Sequence, residues 1–321
     1  MNSRPIVVVP GDDPLQIAGT PALARLSERA EVRIFTDRPG SGDEKLARVA
    51  GADIILNSRG AVTWREADFA ALPRLKLIAT CSVGTDAIDL DAARARGIVV
   101  SNQPGVNAPF VAEHMFGLML AVAKNVVGHT QQLRSGIWSG TQNVMLQGKR
   151  LGIIGTGAIG AEMARLGRAF GMEVVAWTFN PAPERADALG LRYVELDELL
   201  ATSAVVSLHV RLSDNSRGLV GAAEFAKMRS DAILLNGARG PVVDTGALIQ
   251  ALESGAIRGA GIDVFDEEPV PADAPVLKCP NLVMTPHCAD QTPEAVVATN
   301  EGAVDNIIAF LDGAPRVNAA V

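Results

Sequence analysis

Aromatic side chains make up only 4% of the 321 residues, and Tyr193 is the single tyrosine. That scarcity argues against a nucleic-acid binder that stacks bases on aromatic platforms. Positive charge is short as well: 29 Lys and Arg stand against 36 Asp and Glu, for a net charge of -7. A chain with that balance repels phosphate backbones, so no nucleic-acid partner is expected. An anionic substrate would need local arginines or helix N-termini to reverse the field at its site. Cysteine is rare, with Cys81, Cys279 and Cys288 in no CxxC spacing. An odd, scattered set fits a reducing cytoplasm better than a disulfide scaffold. No run of 18 uncharged apolar residues occurs. Residues 111–127 come nearest and carry Glu113, His114 and Lys124, so no membrane span is expected. The apolar stretch before Pro10 and Gly11 is too short for a secretory leader and reads as a strand. The four histidines are dispersed and no HExxH appears, so no metal is expected. Short-period repeats and low-complexity segments are missing too.

What is there is apolar and regular. Hydrophobic residues make up 48% and charged residues 20%, enough for a large core and too apolar for wholesale disorder. The length suggests two domains. In the first hundred residues, strands are expected over 6–9, 32–35, 53–56, 75–80 and 98–101. Helices are expected over 21–30, 45–50 and 91–96. Continuous apolar strands alternating with helices indicate a parallel sheet covered on both faces. A long helix follows over 109–128, with Pro109 in its first turn. A loop rich in Gly, Ser and Trp spans 135–147. A second α/β series starts at Arg150, with strands over 151–154, 173–177, 205–210, from 233, over 259–264 and over 282–287. A final helix is expected over 293–311.

Gly155-Thr156-Gly157-Ala158-Ile159-Gly160 forms a GxGxxG sequence after an apolar strand and ahead of a helix over 161–170. In that context each glycine has a physical purpose. Gly155 permits the tight turn, Gly157 lets a pyrophosphate approach the backbone, and Gly160 lets the helix pack against the strand. The helix N-terminus then presents free N–H groups and a positive dipole end to phosphates. A dinucleotide is the expected cofactor. The next strand ends in Thr178-Phe179-Asn180, where a NAD site usually has an acid for the ribose hydroxyls. No arginine for a 2′-phosphate follows directly; the nearest is Arg185, with Arg211 further on. NAD and NADP both stay open at this point.

Three later strand ends carry charged or titratable groups: Arg239 in NGARG, Glu268 in DVFDEEP, and His287 in TPH. In open α/β sheets ligands sit outside the carboxyl ends of the strands, so these groups can converge on one site. A histidine with an unperturbed pKa near ~6.5 suits proton transfer near neutrality. A carboxylate beside it favours the imidazolium and orients the ring. An arginine grips a carboxylate in a fork and polarises a carbonyl. Cys288 follows His287, but neighbours on an extended chain point apart. A small buried cysteine is therefore expected there, not a nucleophile. His209, His114 and His129 read as structural, with His209 ending a strand near the expected cofactor.

Taken together, SVGTDAIDLDAARARGIVVSN, VAEH, LGIIGTGAIG, NGARG, DVFDEEP and TPH closely resemble the D-isomer-specific 2-hydroxyacid dehydrogenase family, in order and spacing, over nearly the whole chain. The resemblance implies two Rossmann-like, doubly wound parallel-sheet domains. A flavodoxin-like substrate domain would comprise 1–101 plus 288–321, and a Rossmann NAD(P)-binding domain 102–287. By position, Arg239 matches the substrate-binding arginine, Glu268 its acidic partner and His287 the acid/base. Arg59 and the backbone of Val83 and Gly84 would meet the substrate carboxylate. Gly155, Gly157, Ala158, Ile159, Gly160, Thr178, His209, Ala238 and Asp263 would line the cofactor, with Asp263 near the nicotinamide. The long helix and the Trp138 loop resemble the family's dimer contact, which implies a homodimer. The implied activity is hydride transfer between NAD(P)(H) and a small 2-oxo or 2-hydroxy acid, as in a glyoxylate or hydroxypyruvate reductase. The alternative is an NAD(H)-sensing, corepressor-like binding protein with little turnover. Phosphite or formate oxidation is a lesser alternative on the same fold. Two departures stand out: Asp290 replaces a small or aromatic residue of many relatives, and Arg211 replaces a proline. No appended regulatory domain is expected after residue 321.

Overall fold

The computed structural model describes residues 4–314 and 319–320. Its contacts divide the chain into two compact units, Met1–Asn107 with Gln291–Val321, and Ala108–Asp290. The breaks fall a few residues C-terminal to 101 and 287.

The first unit is built on five parallel strands: β1 (Ile6–Val9), β2 (Glu31–Ile34), β3 (Ile54–Asn57), β4 (Leu77–Thr80) and β5 (Val99–Ser101). Their order is β2-β1-β3-β4-β5, the flavodoxin-like arrangement. The strands are apolar throughout because both faces are covered. Val7 and Val9 of β1 enter one cluster with Leu26, Val304 and Ile307. Val8 points the other way, toward Trp64 and Phe69, as strand alternation requires. The edge strand β2 is half exposed and correspondingly mixed in sequence.

The C-terminal helix Pro293–Leu311 completes this unit. Its expected bounds hold: Thr292 caps it by accepting from the Ala295 N–H, and Pro293 occupies the first turn. Arg25 bridges to Glu301 and Asp305, and Asn300 Nδ2 donates to the carbonyl of Gln16 at 2.8 Å.

The second unit holds seven parallel strands: β6 (Arg150–Ile154), β7 (Glu173–Trp177), β8 (Arg192–Tyr193), β9 (Val205–Leu208), β10 (Ile233–Asn236), β11 (Gly259–Ile262) and β12 (Leu282–Met284). Their order is β12-β11-β10-β9-β6-β7-β8. The order reverses at β6, which lies between β9 and β7, so a ligand crevice opens at the carboxyl ends beside β6. The expected strands over 205–210, 259–264 and 282–287 stop two or three residues early. Their polar ends turn away from the sheet, and those turns carry the candidate site.

The expected helix over 109–128 is broken. Ala108–Ala123 and Val126–Arg134 are separate helices bent by 58°. The first is buried through Val111, Met115, Leu118 and Met119, while the second buries no residue. The break has a local cause. The carbonyl of Ala123 accepts from the Val144 N–H at 2.9 Å, and Asn125 adopts a left-handed conformation that asparagine tolerates. Among the described residues, no single helix is long and apolar enough to cross a membrane.

Candidate active site

The glycine turn after β6 is shaped by close approach. Gly155 has φ +98°, and a Cβ there would lie 2.8 Å from the backbone of His209. A Cβ on Gly160 would lie 2.0 Å from the Gly155 carbonyl oxygen. Only glycine fits at both places. Gly157 faces open space, with nothing within 4 Å of a Cβ position. The helix behind it starts at Ala158, three residues earlier than expected. Its first turn therefore presents the N–H groups of Ala158, Ile159 and Gly160 where an anion is stabilised.

At the end of β7 no carboxylate stands. Trp177 and Phe179 meet edge to face at 4.8 Å and line a cavity with Thr178, Tyr193 and Glu195. Tyr193 Oη bonds Thr156 Oγ1 at 2.9 Å, linking β8 to the glycine turn. His209, after β9, bonds Ser207 Oγ through Nε2 at 2.8 Å. Its Nδ1 is out of reach of water and has no hydrogen-bond partner among the described residues. Part of the ring surface remains open, but that desolvation of the nitrogen pushes the pKa down to about 4. His209 is therefore neutral near pH 7. An open glycine cradle and an orphaned ring nitrogen beside it fit a bound dinucleotide.

The three later strand ends come together. After β10, Asn236 shapes the turn: its Oδ1 accepts from Ala238 N at 3.1 Å and its Nδ2 donates to the Arg239 carbonyl at 3.0 Å. The next residue, Gly240, packs so closely on the Phe265 backbone that a Cβ would sit 2.0 Å from the Phe265 carbonyl carbon. That contact holds the Arg239 turn against the loop carrying Glu268. Glu268 Oε1 accepts from the Phe265 N–H at 2.9 Å, and Oε2 faces His287 Nδ1 at 2.5 Å. Burial alone would raise the Glu268 carboxyl. The hydrogen bonds from His287 and Phe265, with the charges of His287 and Arg239, outweigh it and hold the group below its usual range. Facing an ionised carboxylate, His287 Nδ1 must carry the proton. In that tautomer Nε2 is the nitrogen able to exchange a proton.

His287 has φ +49°, a left-handed conformation uncommon for residues other than glycine. Asp263, 2% exposed after β11, braces the segment on both sides. Its Oδ1 accepts from Thr285 Oγ1 at 2.6 Å and Cys288 N at 3.0 Å, and its Oδ2 from Ala289 N at 2.9 Å. Because Thr285 spends its hydroxyl proton on Asp263, it accepts from His114 Nε2 at 2.8 Å. Thr285, Asn236 and His114 thus belong to the site's frame. Sequence reasoning passed over the first two and took His114 as merely structural, although Thr285 stands inside the TPH motif. Two expectations about Cys288 are corrected. The chain at His287 is not extended, and Cys288 is half-buried, not fully buried.

The expected carboxylate-binding residues lie in the first unit. Arg59 follows β3 with φ +49°, and its neighbour Ser58 donates to the buried Asp12 at 2.7 Å. The Val83 carbonyl accepts from Asn102 Nδ2 at 2.7 Å, and the Gly84 carbonyl from Ser82 Oγ at 2.8 Å. Both turns are thereby held with defined backbone direction. Arg211 is exposed, and its carbonyl accepts from Ser216 Oγ at 2.6 Å.

Residues 116–289 match the family model described as D-isomer specific 2-hydroxyacid dehydrogenase, NAD binding domain. A glyoxylate reductase from Korarchaeum cryptofilum is 37% identical over 298 residues, covering 91% of this chain and 90% of that one. A glycerate dehydrogenase from Methylorubrum extorquens is 38% identical over 285 residues, covering 85% and 87%. Among solved structures, a glyoxylate reductase from Paecilomyes thermophila superposes with a TM-score of 0.89 at 29% identity, covering 100% of this chain and 99% of that one.

Proposed function

The chain belongs to the D-isomer-specific 2-hydroxyacid dehydrogenase family, and from that premise we propose that it reduces a small 2-oxo acid such as glyoxylate or hydroxypyruvate, with Arg239, Glu268 and His287 as its catalytic residues. As a family member it is an NAD(P)-dependent oxidoreductase acting on D-2-hydroxy acids. The observation that carries the residue assignment is the 2.5 Å contact between Glu268 Oε2 and His287 Nδ1.

The chemistry follows from these groups. The reduced nicotinamide, when bound, supplies the hydride to C2 of the substrate. His287 gives a proton from Nε2 to the C2 oxygen, and Glu268 stabilises the imidazolium that precedes the transfer. Arg239 forks the substrate carboxylate and polarises the carbonyl. Arg59 and the N–H groups of Val83 and Gly84 add donors for the carboxylate. Gly155, Gly157, Ala158, Ile159 and Gly160 receive the pyrophosphate, and Thr178, His209, Ala238 and Asp263 line the remainder of the cofactor. In this reading Ala108–Asp290 is the cofactor domain, and Met1–Asn107 with Gln291–Val321 the substrate domain.

The reading as a cofactor-sensing binding protein with little turnover is not favoured, since a paired His–Glu beside an arginine is working acid–base equipment. A homodimer is part of the proposal. Val126, Leu133 and Ile137 are each at least half exposed and Trp138 is 92% exposed, an apolar surface of the kind a partner covers. Three free cysteines support a cytoplasmic setting.

The test is a panel of 2-oxo acids assayed with NADH and NADPH separately. Glyoxylate or hydroxypyruvate should oxidise one of the two. Turnover no greater than that of His287→Ala for every acid in the panel would overturn the reading.

A further inference from the structure

Three chemically different donors converge behind His287. His114 comes from the buried helix Ala108–Ala123, Asp263 from the end of β11, and Cys288 from the turn after His287. His114 Nε2 lies 3.7 Å from Asp263 Oδ1. One ligand atom from each of the three residues, the Cys288 sulfur included, lies within 4.8 Å of the other two. In a tetrahedral zinc shell, ligand atoms stand about 3.3–3.8 Å apart, given bonds of about 2.0–2.3 Å. The three side chains need only draw together by roughly one ångström to meet that geometry.

We propose that these residues form an inhibitory site for a thiophilic divalent cation such as Zn²⁺ or Cd²⁺. One imidazole, one carboxylate and one thiolate is a donor set that selects such ions over Mg²⁺ or Ca²⁺, which take oxygen ligands. On binding, the Cys288 thiol loses its proton to solvent and the sulfur bonds the metal. The His114 ring proton moves from Nε2 to Nδ1 by exchange with water, freeing the Nε2 lone pair. One proton is released per metal and nothing is oxidised. The consequence for activity is direct. Asp263 holds the His287 turn through Thr285 Oγ1, Cys288 N and Ala289 N. Drawing its carboxylate onto a metal releases those bonds and lets the His287 turn move.

The inhibition arm of the test rests on the proposed dehydrogenase activity, and the spectroscopic arm does not. Titrating the full-length protein with Cd²⁺ should produce a thiolate-to-cadmium charge-transfer absorption in the ultraviolet. The band should be missing from Cys288→Ala and kept by Cys279→Ala. In the 2-oxo acid assay, Zn²⁺ should inhibit reversibly, with activity restored by EDTA. Measured against its own uninhibited rate, Cys288→Ala should need at least about tenfold more Zn²⁺ for half-inhibition, as loss of a ligand implies. A band of equal size in Cys288→Ala would overturn the site. Equal zinc sensitivity in wild type and Cys288→Ala would overturn it too, placing any inhibition at the His287–Glu268 pair. If the charge-transfer band behaves as expected but no 2-oxo acid is reduced, the metal site stands and the dehydrogenase reading falls.

Discussion

Two histidines follow strands of the seven-stranded sheet, His209 after β9 and His287 after β12. His287 is 43% exposed at its side chain and has a carboxylate against Nδ1. His209 has a serine hydroxyl on Nε2 and nothing on Nδ1 among the described residues, and desolvation pushes it down to about 4. The two share a place in the topology and a residue type. They differ in their water and in the partner of a single nitrogen. In the proposed mechanism that difference makes one a proton carrier and the other a neutral wall: a strand end supplies position, while the second nitrogen's partner supplies chemistry.

The sharpest way to break this comparison is to remove each ring in turn. His287→Ala should lower kcat by about a thousandfold, within the range of a lost general acid, whereas His209→Gln should hold kcat within about tenfold. Steady-state kinetics with the best 2-oxo acid decide it, and comparable losses in kcat would erase the distinction.

The second test uses pH. His209 is depressed in the folded protein, so between about 6.5 and 4 the unfolded chain binds a proton that the folded chain refuses. Stability is therefore lost as pH falls through that window, by up to about 3 kcal/mol from this group. Denaturant unfolding at pH 7 and pH 4.5 should show a smaller acid loss in His209→Gln than in wild type. An identical loss would refute the desolvation argument.

Glu268 has the opposite sense. Its carboxyl is held low, so its pairing stabilises the fold above the ordinary carboxylate range and is lost as pH falls through the lowered value. Glu268→Gln should cost about ten- to a hundredfold in kcat by removing the stabiliser of the imidazolium. With no carboxylate left to protonate, Glu268→Gln should also lose less unfolding stability than wild type between pH 7 and the acid side of the ordinary carboxylate range. An equal acid loss in both proteins would mean that the partners of Glu268 do not hold its carboxyl low.

The smallest effect is expected at Ser207. Ser207→Ala removes the hydrogen bond between Ser207 Oγ and the His209 ring and should cost about 1 kcal/mol in unfolding free energy with little change in kcat. A large loss of activity would show that catalysis depends on the orientation of His209.

The two units were legible to different depths. The apolar runs of β1, β3, β4 and β6, the capped helix Pro293–Leu311 and the glycine turn announce themselves through local periodicity and conformational need. The short β8, of two residues, has no period to read. The break at Asn125 was masked by apolar residues that continue past it, because hydrophobicity reports burial and a bend depends on which group takes the Ala123 carbonyl. Within the site, Arg239, Glu268 and His287 could be named from their motifs, since each is tied to a strand end. The frame around them could not. Thr285 acts through bonds to His114 and Asp263, which a one-dimensional reading does not bring near, and Asn236 acts by fixing a local turn that its residue type alone does not announce.

Nearest-neighbour chemistry along the chain was enough to dictate two parallel α/β units, the phosphate-type glycine turn and the residue types available for acid–base work. Those features depend on side-chain alternation, caps and steric freedom within a few residues. Folding alone decided that His114 would reach Thr285 across 171 residues and Thr285 would reach Asp263 across 22. It also decided that His287 would sit in a left-handed turn and that His209 would lose its charge. Each of these is set by which groups share a small volume and how much water remains there, and no local pattern encodes either.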